Sequence, residues 1–82
     1  MAGLPHLSGE QLRAARCLAG LTVRELAHLS GLAPVIIKGF EATSGRLHDR
    51  SGALAALRDA LEGEGILFIH ESDRTGVAMR RA

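Results

Sequence analysis

Leu21-Thr-Val-Arg-Glu-Leu-Ala-His-Leu-Ser-Gly-Leu-Ala-Pro-Val-Ile-Ile-Lys-Gly-Phe-Glu41 reads as two short helices with a tight turn between them. Thr22-Val-Arg-Glu25 is a capping box: the hydroxyl accepts from the third helical amide, and the Glu carboxylate reaches back to the cap amide. It predicts a helix to about Leu29, with Leu26 and Leu29 inward. Gly31 ends it. Pro34 suits the first turn of the next helix, where its missing N–H has no partner to lose. The second helix runs from about Pro34 to Ala42, with Val35 or Ile37 facing inward beside Phe40 and Glu41. A short capped helix, a glycine turn and a second short helix form a helix-turn-helix signature. Such a second helix can enter a DNA major groove. The alternative on spacing alone is any small helical bundle with a short turn.

Outward from this stretch, Ser8-Gly-Glu-Gln11 is another capping box and opens a helix over about 9–19. Its inward side carries Leu12, Ala15, Ala19 and either Arg16 or Cys17, so Cys17 reads as a small core residue. Residues 43–48 read as loop. Asp49 or Ser51 can cap a fourth helix to about Glu62, with Leu54, Leu57 and Leu61 on one face. After Gly63 and Gly65 the period changes to two, over Ile66-Leu-Phe-Ile69 and again over Val77-Ala-Met-Arg80. That predicts a hairpin over 66–81 behind a helical part over 8–62, all in one domain of 82 residues.

Composition excludes several function classes. A chain this short buries roughly 60% of its unfolded surface, which leaves little room for a deep catalytic pocket. Phe40 and Phe68 are the only aromatic residues, too few for a platform that stacks single-stranded bases. Cys17 is the only cysteine, so no internal disulfide is available, and a reducing, cytoplasmic setting is expected. No apolar run is long enough to span a membrane, and the first residues lack the pattern of a signal peptide. His6, His28, His48 and His70 stand about twenty residues apart, without metal-ligand spacing. No nucleophile or phosphate-loop motif appears. No enzyme, metal or cofactor is expected. The net charge is +1, but residues 51–73 carry −4 while residues 22–50 are net basic and residues 74–82 carry +3. The acidic stretch is expected to face away from any phosphate backbone.

The residues Leu21-Thr-Val-Arg-Glu-Leu-Ala27, then Gly31-Leu-Ala-Pro34, then Ile37-Lys-Gly-Phe-Glu41 resemble the XRE family of phage-repressor and Cro-like regulators. Thr22, Glu25, Leu26, Ala27, Gly31, Ile37, Phe40 and Glu41 match its framework in register. The end, Glu64 to Ile69 and Thr75 to Arg80, is similar to short bacterial members. The resemblance implies a mainly α fold: a small lambda-repressor-like bundle of four to five helices with a C-terminal β-hairpin. It implies sequence-specific binding of double-stranded DNA to control transcription, with helix 34–41 in the major groove. The DNA-binding positions it assigns are Val23, Arg24, Pro34, Val35, Ile36, Lys38, Gly39 and Arg46. It also implies a structural ion pair between Arg16 and Glu41.

The departures from the family fall on the DNA-reading face. Val23 stands where a phosphate-clamping Gln is usual, and Ala33 where a Ser or Thr caps the recognition helix. Lys38 is the only side-chain donor among the outward positions, whereas bidentate base reading uses Arg, Asn or Gln. Arg24 and Lys38 also fit as ordinary solvated helix charges. A second reading follows: a helix-turn-helix that binds a regulatory protein partner, as an anti-activator or antitoxin-like protein, through Val35, Ile36 and Gly39. A homodimer is expected, because helix-turn-helix proteins commonly bind paired half-sites. The hairpin residues Ile66, Leu67, Phe68, Ile69, Val77 and Met79 are expected to form its interface, with Arg80 and Arg81 as a basic tail.

Overall fold

The computed structural model describes residues 7–80. His6 and Arg81, both named from the sequence, lie outside the described residues. The elements follow in the order α1 (Gly9–Leu18), α2 (Val23–Ser30), α3 (Pro34–Glu41), α4 (Ala53–Gly63), β1 (Ile66–Glu71) and β2 (Arg74–Met79). Both capping boxes are formed in full. Ser8 Oγ accepts from the Gln11 amide at 3.0 Å, and Gln11 Oε1 accepts from the Ser8 amide at 3.1 Å. Thr22 Oγ1 and Glu25 Oε1 do the same at the start of α2, at 3.0 and 2.8 Å. The α2–α3 turn is made by Gly31, whose φ of 75° lies in the left-handed region that costs a glycine nothing. Pro34 then starts α3 behind Ala33, which supplies no side-chain cap.

The core takes Leu12 from α1, Leu26 from α2, Ile37 from α3, Leu57 and Leu61 from α4, and Ile66 from β1, all fully buried. Each element except β2 thus contributes at least one fully buried side chain. α1 packs against α3 and both strands, α2 against α3 and α4, and α4 against β1.

The expected mainly α bundle of four to five helices is corrected. The described residues form four helices and no fifth, and the hairpin is a layer of the fold rather than an appendage. The helical pattern stops at Gly63. Gly65, at φ 94°, turns the chain straight into β1. Ile66 enters the core in the next step. The strands pair antiparallel, Ile66 opposite Met79, Phe68 opposite Val77 and Glu71 opposite Arg74, around the two-residue loop Ser72-Asp73. Alternation turns Ile66, Phe68 and Val77 toward the helices, where they join or pack on the core. Gln11 pins the sheet to α1: its Nε2 donates to the carbonyls of Ile69 and Gly76 at 3.4 and 3.2 Å.

Two inward assignments are also corrected, and one alternative is resolved. Cys17 is exposed, because it lies about 200° around the helix from buried Ala15. Leu29 is exposed at the end of α2, beside the departing turn. Between Val35 and Ile37 the core takes Ile37; Val35 is 70% exposed.

Candidate nucleic-acid interface

The length of α3 is two turns, and its burial divides cleanly. Ile37 faces the core, with Phe40 partly covered against it. Pro34, Val35, Ile36, Lys38 and Gly39 are exposed. This outward strip bears one cation, Lys38, and no Arg, Asn or Gln to read a base edge. A Cβ built on Gly39 would meet nothing within 4 Å, so the helix backbone is open to close approach there.

Basic residues stand on either side of the strip in sequence. Arg24 is exposed in the first turn of α2, and Arg46 is exposed in the loop after α3. Neither side chain makes a hydrogen bond or ion pair among the described residues. Val23, named among the DNA-binding positions, is half-buried and packs on the core. As a valine it has no polar side-chain group to offer a phosphate.

The last residue of α3 fixes the helix to the domain. The Arg16 guanidinium grips the Glu41 carboxylate through two bonds, Nε to Oε2 at 2.7 Å and Nη2 to Oε1 at 3.0 Å. Its third nitrogen, Nη1, donates to the Leu21 carbonyl at 2.9 Å, just before α2. One side chain on α1 thereby ties together the entry to α2 and the end of α3. The two side chains are only 15% and 9% exposed. The hydrogen bond with Glu41 raises the Arg16 pKa further.

Sequence reading missed the seam beneath the loop. The first residue of α1, Gly9, lies against the end of α3: a Cβ there would overlap the Thr43 carbonyl oxygen and stand 2.6 Å from that of Phe40. Glu10 Oε1 accepts from the Gly45 amide at 2.9 Å, and this bond lowers the Glu10 pKa. The available signal was a glycine at a helical position where most residues are better formers. Asp49 and Ser51 were alternatives as the cap of α4; the N-cap is instead Gly52, at φ 90°, and both residues reach the first amides of α4 from before it. Asp49 Oδ2 accepts from the Leu54 amide at 3.1 Å, and its Oδ1 accepts from the Ser51 hydroxyl at 2.7 Å. These bonds, the Ser51 hydroxyl first, hold the Asp49 carboxyl below its ordinary pKa.

Of the six expected interface residues in the hairpin, Ile66 is wholly inside the protomer's own core, and Phe68 and Val77 pack against that core. Leu67, 44% exposed, and the half-buried Ile69 lie on the other face with Ala78. Met79 is exposed at the end of β2. Sequence alternation showed that both faces were apolar, but not which face the helices cover.

No described helix is long and apolar enough to cross a membrane. No group of three or more metal-ligating side chains occurs among the described residues. No protein-family model matches the chain, and no curated protein matches it.

Proposed function

We propose that this chain is a cytoplasmic, DNA-binding transcriptional regulator of the XRE kind, with α3 entering the major groove. The observation that carries this reading is a rigidly anchored α3 with its entire outward strip uncovered. Unpartnered Arg24 and Arg46 come before and after it in the chain. The Arg16–Glu41 pair holds α3 to α1 from its far end, as a helix that must meet a groove at a fixed angle requires. Lys38 and the two arginines supply phosphate contacts. Val35 and Ile36 offer apolar surface to thymine methyls.

Duplex binding measured against salt tests this. Lys38→Ala and Arg46→Ala each weaken binding and each shallow the slope of log K against log salt by about 1 per protomer, hence about 2 for a dimer. Unchanged affinity and slope in both variants would remove the proposed docking surface.

The 70% exposure of Val35, beside Ile36 and open Gly39, favours a second reading in which the same strip docks a regulatory protein. In that case the chain binds duplexes weakly and without preference for sequence.

The proposed working form is a homodimer through the outer hairpin face, Leu67, Ile69 and Ala78. These residues form a small apolar patch, with Leu67 exposed and Ile69 and Ala78 half-buried. Leu67→Glu places a charge on that patch without touching the core. In sedimentation at high concentration the native chain runs as a dimer and this variant as a monomer. A native chain that sediments as a monomer sinks the dimer.

A further inference from the structure

The segment between α3 and α4 is pinned at both ends. At its start the Gly9 amide donates to the Gly45 carbonyl at 3.1 Å, and the Leu47 amide donates to the Leu7 carbonyl at 2.8 Å. At its end the Asp49–Ser51 cap fixes the first turn of α4. Between these anchors lies a cleft of about 440 Å³. That volume is in the range of small-molecule sites.

The cleft has an apolar part, from Leu47 and Leu54, and a basic part, from Arg46, Arg50 and Arg58 with His48. Arg46, His48 and Arg50 make no side-chain hydrogen bond or ion pair among the described residues. Arg58 is held in place: its guanidinium carbon lies 5.8 Å from the Phe68 ring centroid, and its Nε is 3.4 Å from Glu62 Oε2. The one carboxylate in the cleft, Asp49, has both oxygens engaged in the helix cap. Three arginines therefore line one cleft, and no anion among the described residues is committed to two of them. Planar guanidinium forks match the oxygen geometry of a phosphate group, and several can share one dianion.

We propose that this cleft binds a small phosphate monoester with an apolar body, and that occupation competes with DNA through Arg46, which both ligands use. The competition rests on the DNA-binding reading; the site itself does not. A duplex backbone carries the same phosphate chemistry, and Arg58 separates the two sources. Its side chain is only 18% exposed, so it is reached by a ligand that enters the cleft and not by a duplex lying across the exposed Arg46 and Arg50.

The test uses the full-length, isotope-labelled chain at constant ionic strength, titrated with inorganic phosphate and with phenyl phosphate and followed by amide shifts. Duplex affinity is measured with and without saturating phenyl phosphate. The expected result is saturable phenyl phosphate binding with shifts centred on residues 46–58, at least tenfold tighter than inorganic phosphate, together with loss of duplex affinity at saturation. Arg58→Gln weakens phenyl phosphate at least tenfold and changes duplex affinity less than twofold. Arg50→Gln, at an exposed and unpaired position, weakens phenyl phosphate likewise and keeps the test standing if the Arg58 variant does not fold. No saturable shift with either anion overturns the site, and so does equal affinity for the two. Parallel loss of duplex and phenyl phosphate binding in Arg58→Gln also overturns it, because the cleft then serves only the nucleic-acid backbone. Saturable phenyl phosphate binding by a chain that binds no duplex upholds the site and overturns the DNA reading instead.

Discussion

Glu41→Ala destabilises the domain by about 3 kcal/mol, at the lower end of what is lost when one partner of a buried ion pair is removed. The loss comes from stranding Arg16. Two of its three side-chain hydrogen bonds go to the Glu41 carboxylate, and only the bond to the Leu21 carbonyl survives. Its side chain is too enclosed for water to replace both bonds fully. An 82-residue domain has a total stability of about 4–12 kcal/mol, so this is a large share of it. The melting temperature should fall by about 12–24 °C. Glu62→Ala is the control. It also removes an arginine partner, Arg58, but from a pair four residues apart on one helix with an exposed Glu62, worth about 0.3–0.5 kcal/mol. Equal melting temperatures for the two variants would show that the Arg16–Glu41 pair does not hold α3 in place. Because Glu41 is the last residue of α3, the same variant should also lose duplex affinity at temperatures where it is still folded.

Gly9→Ala and Gly39→Ala have effects of opposite sign. Both glycines lie in helices, where alanine is ordinarily favoured by about 0.5–1 kcal/mol. At Gly39 the added methyl meets nothing within 4 Å, so that gain is realised. At Gly9 the methyl runs into the carbonyl oxygens of Phe40 and Thr43. These are backbone atoms and cannot rotate away as a side chain would. Relief requires α1 to shift from the end of α3, which strains the Gly9–Gly45 hydrogen bond. Overpacking of this kind costs about 1–3 kcal/mol, and the rigid neighbours put Gly9→Ala at the upper end. Urea melts of the two variants separate the cases, with midpoints on opposite sides of the native chain. A Gly9→Ala midpoint at or above the native value would mean that the α1–α3 approach is looser than described.

What was legible in the sequence was local. Ser8 with Gln11 and Thr22 with Glu25 declare their helices because a capping box is complete within four residues. Gly31 and Pro34 fix the turn for equally local reasons. Contacts between distant residues were not legible. Nothing near Gln11 shows that its amide, already part of a capping box, also bonds carbonyls 58 and 65 residues away. Nothing in Ile66-Leu-Phe-Ile69 shows which alternate side chains the helices cover, since both sets are apolar. Period alone left Val35 and Ile37 as rivals for the core, and packing against Phe40 and the other helices decided for Ile37. In the candidate site, Arg24, Lys38 and Arg46 could be named as isolated charges. The gathering of Arg46, Arg50 and Arg58 around one cleft depends on how the loop folds back against α4.

The most direct test of the DNA-binding claim is a titration of the full-length chain across genomic duplex fragments at about 50 and 200 mM salt. Arg24, Lys38 and Arg46 in both halves of a dimer give six phosphate contacts, hence a slope of about −5.4 in log K against log salt. The account predicts that slope or a steeper one, with a subset of fragments bound at least about 10³-fold tighter than the rest. Binding that is weak, nearly independent of salt and equal for all fragments would contradict it, and would leave the uncovered strip of α3 to a protein partner.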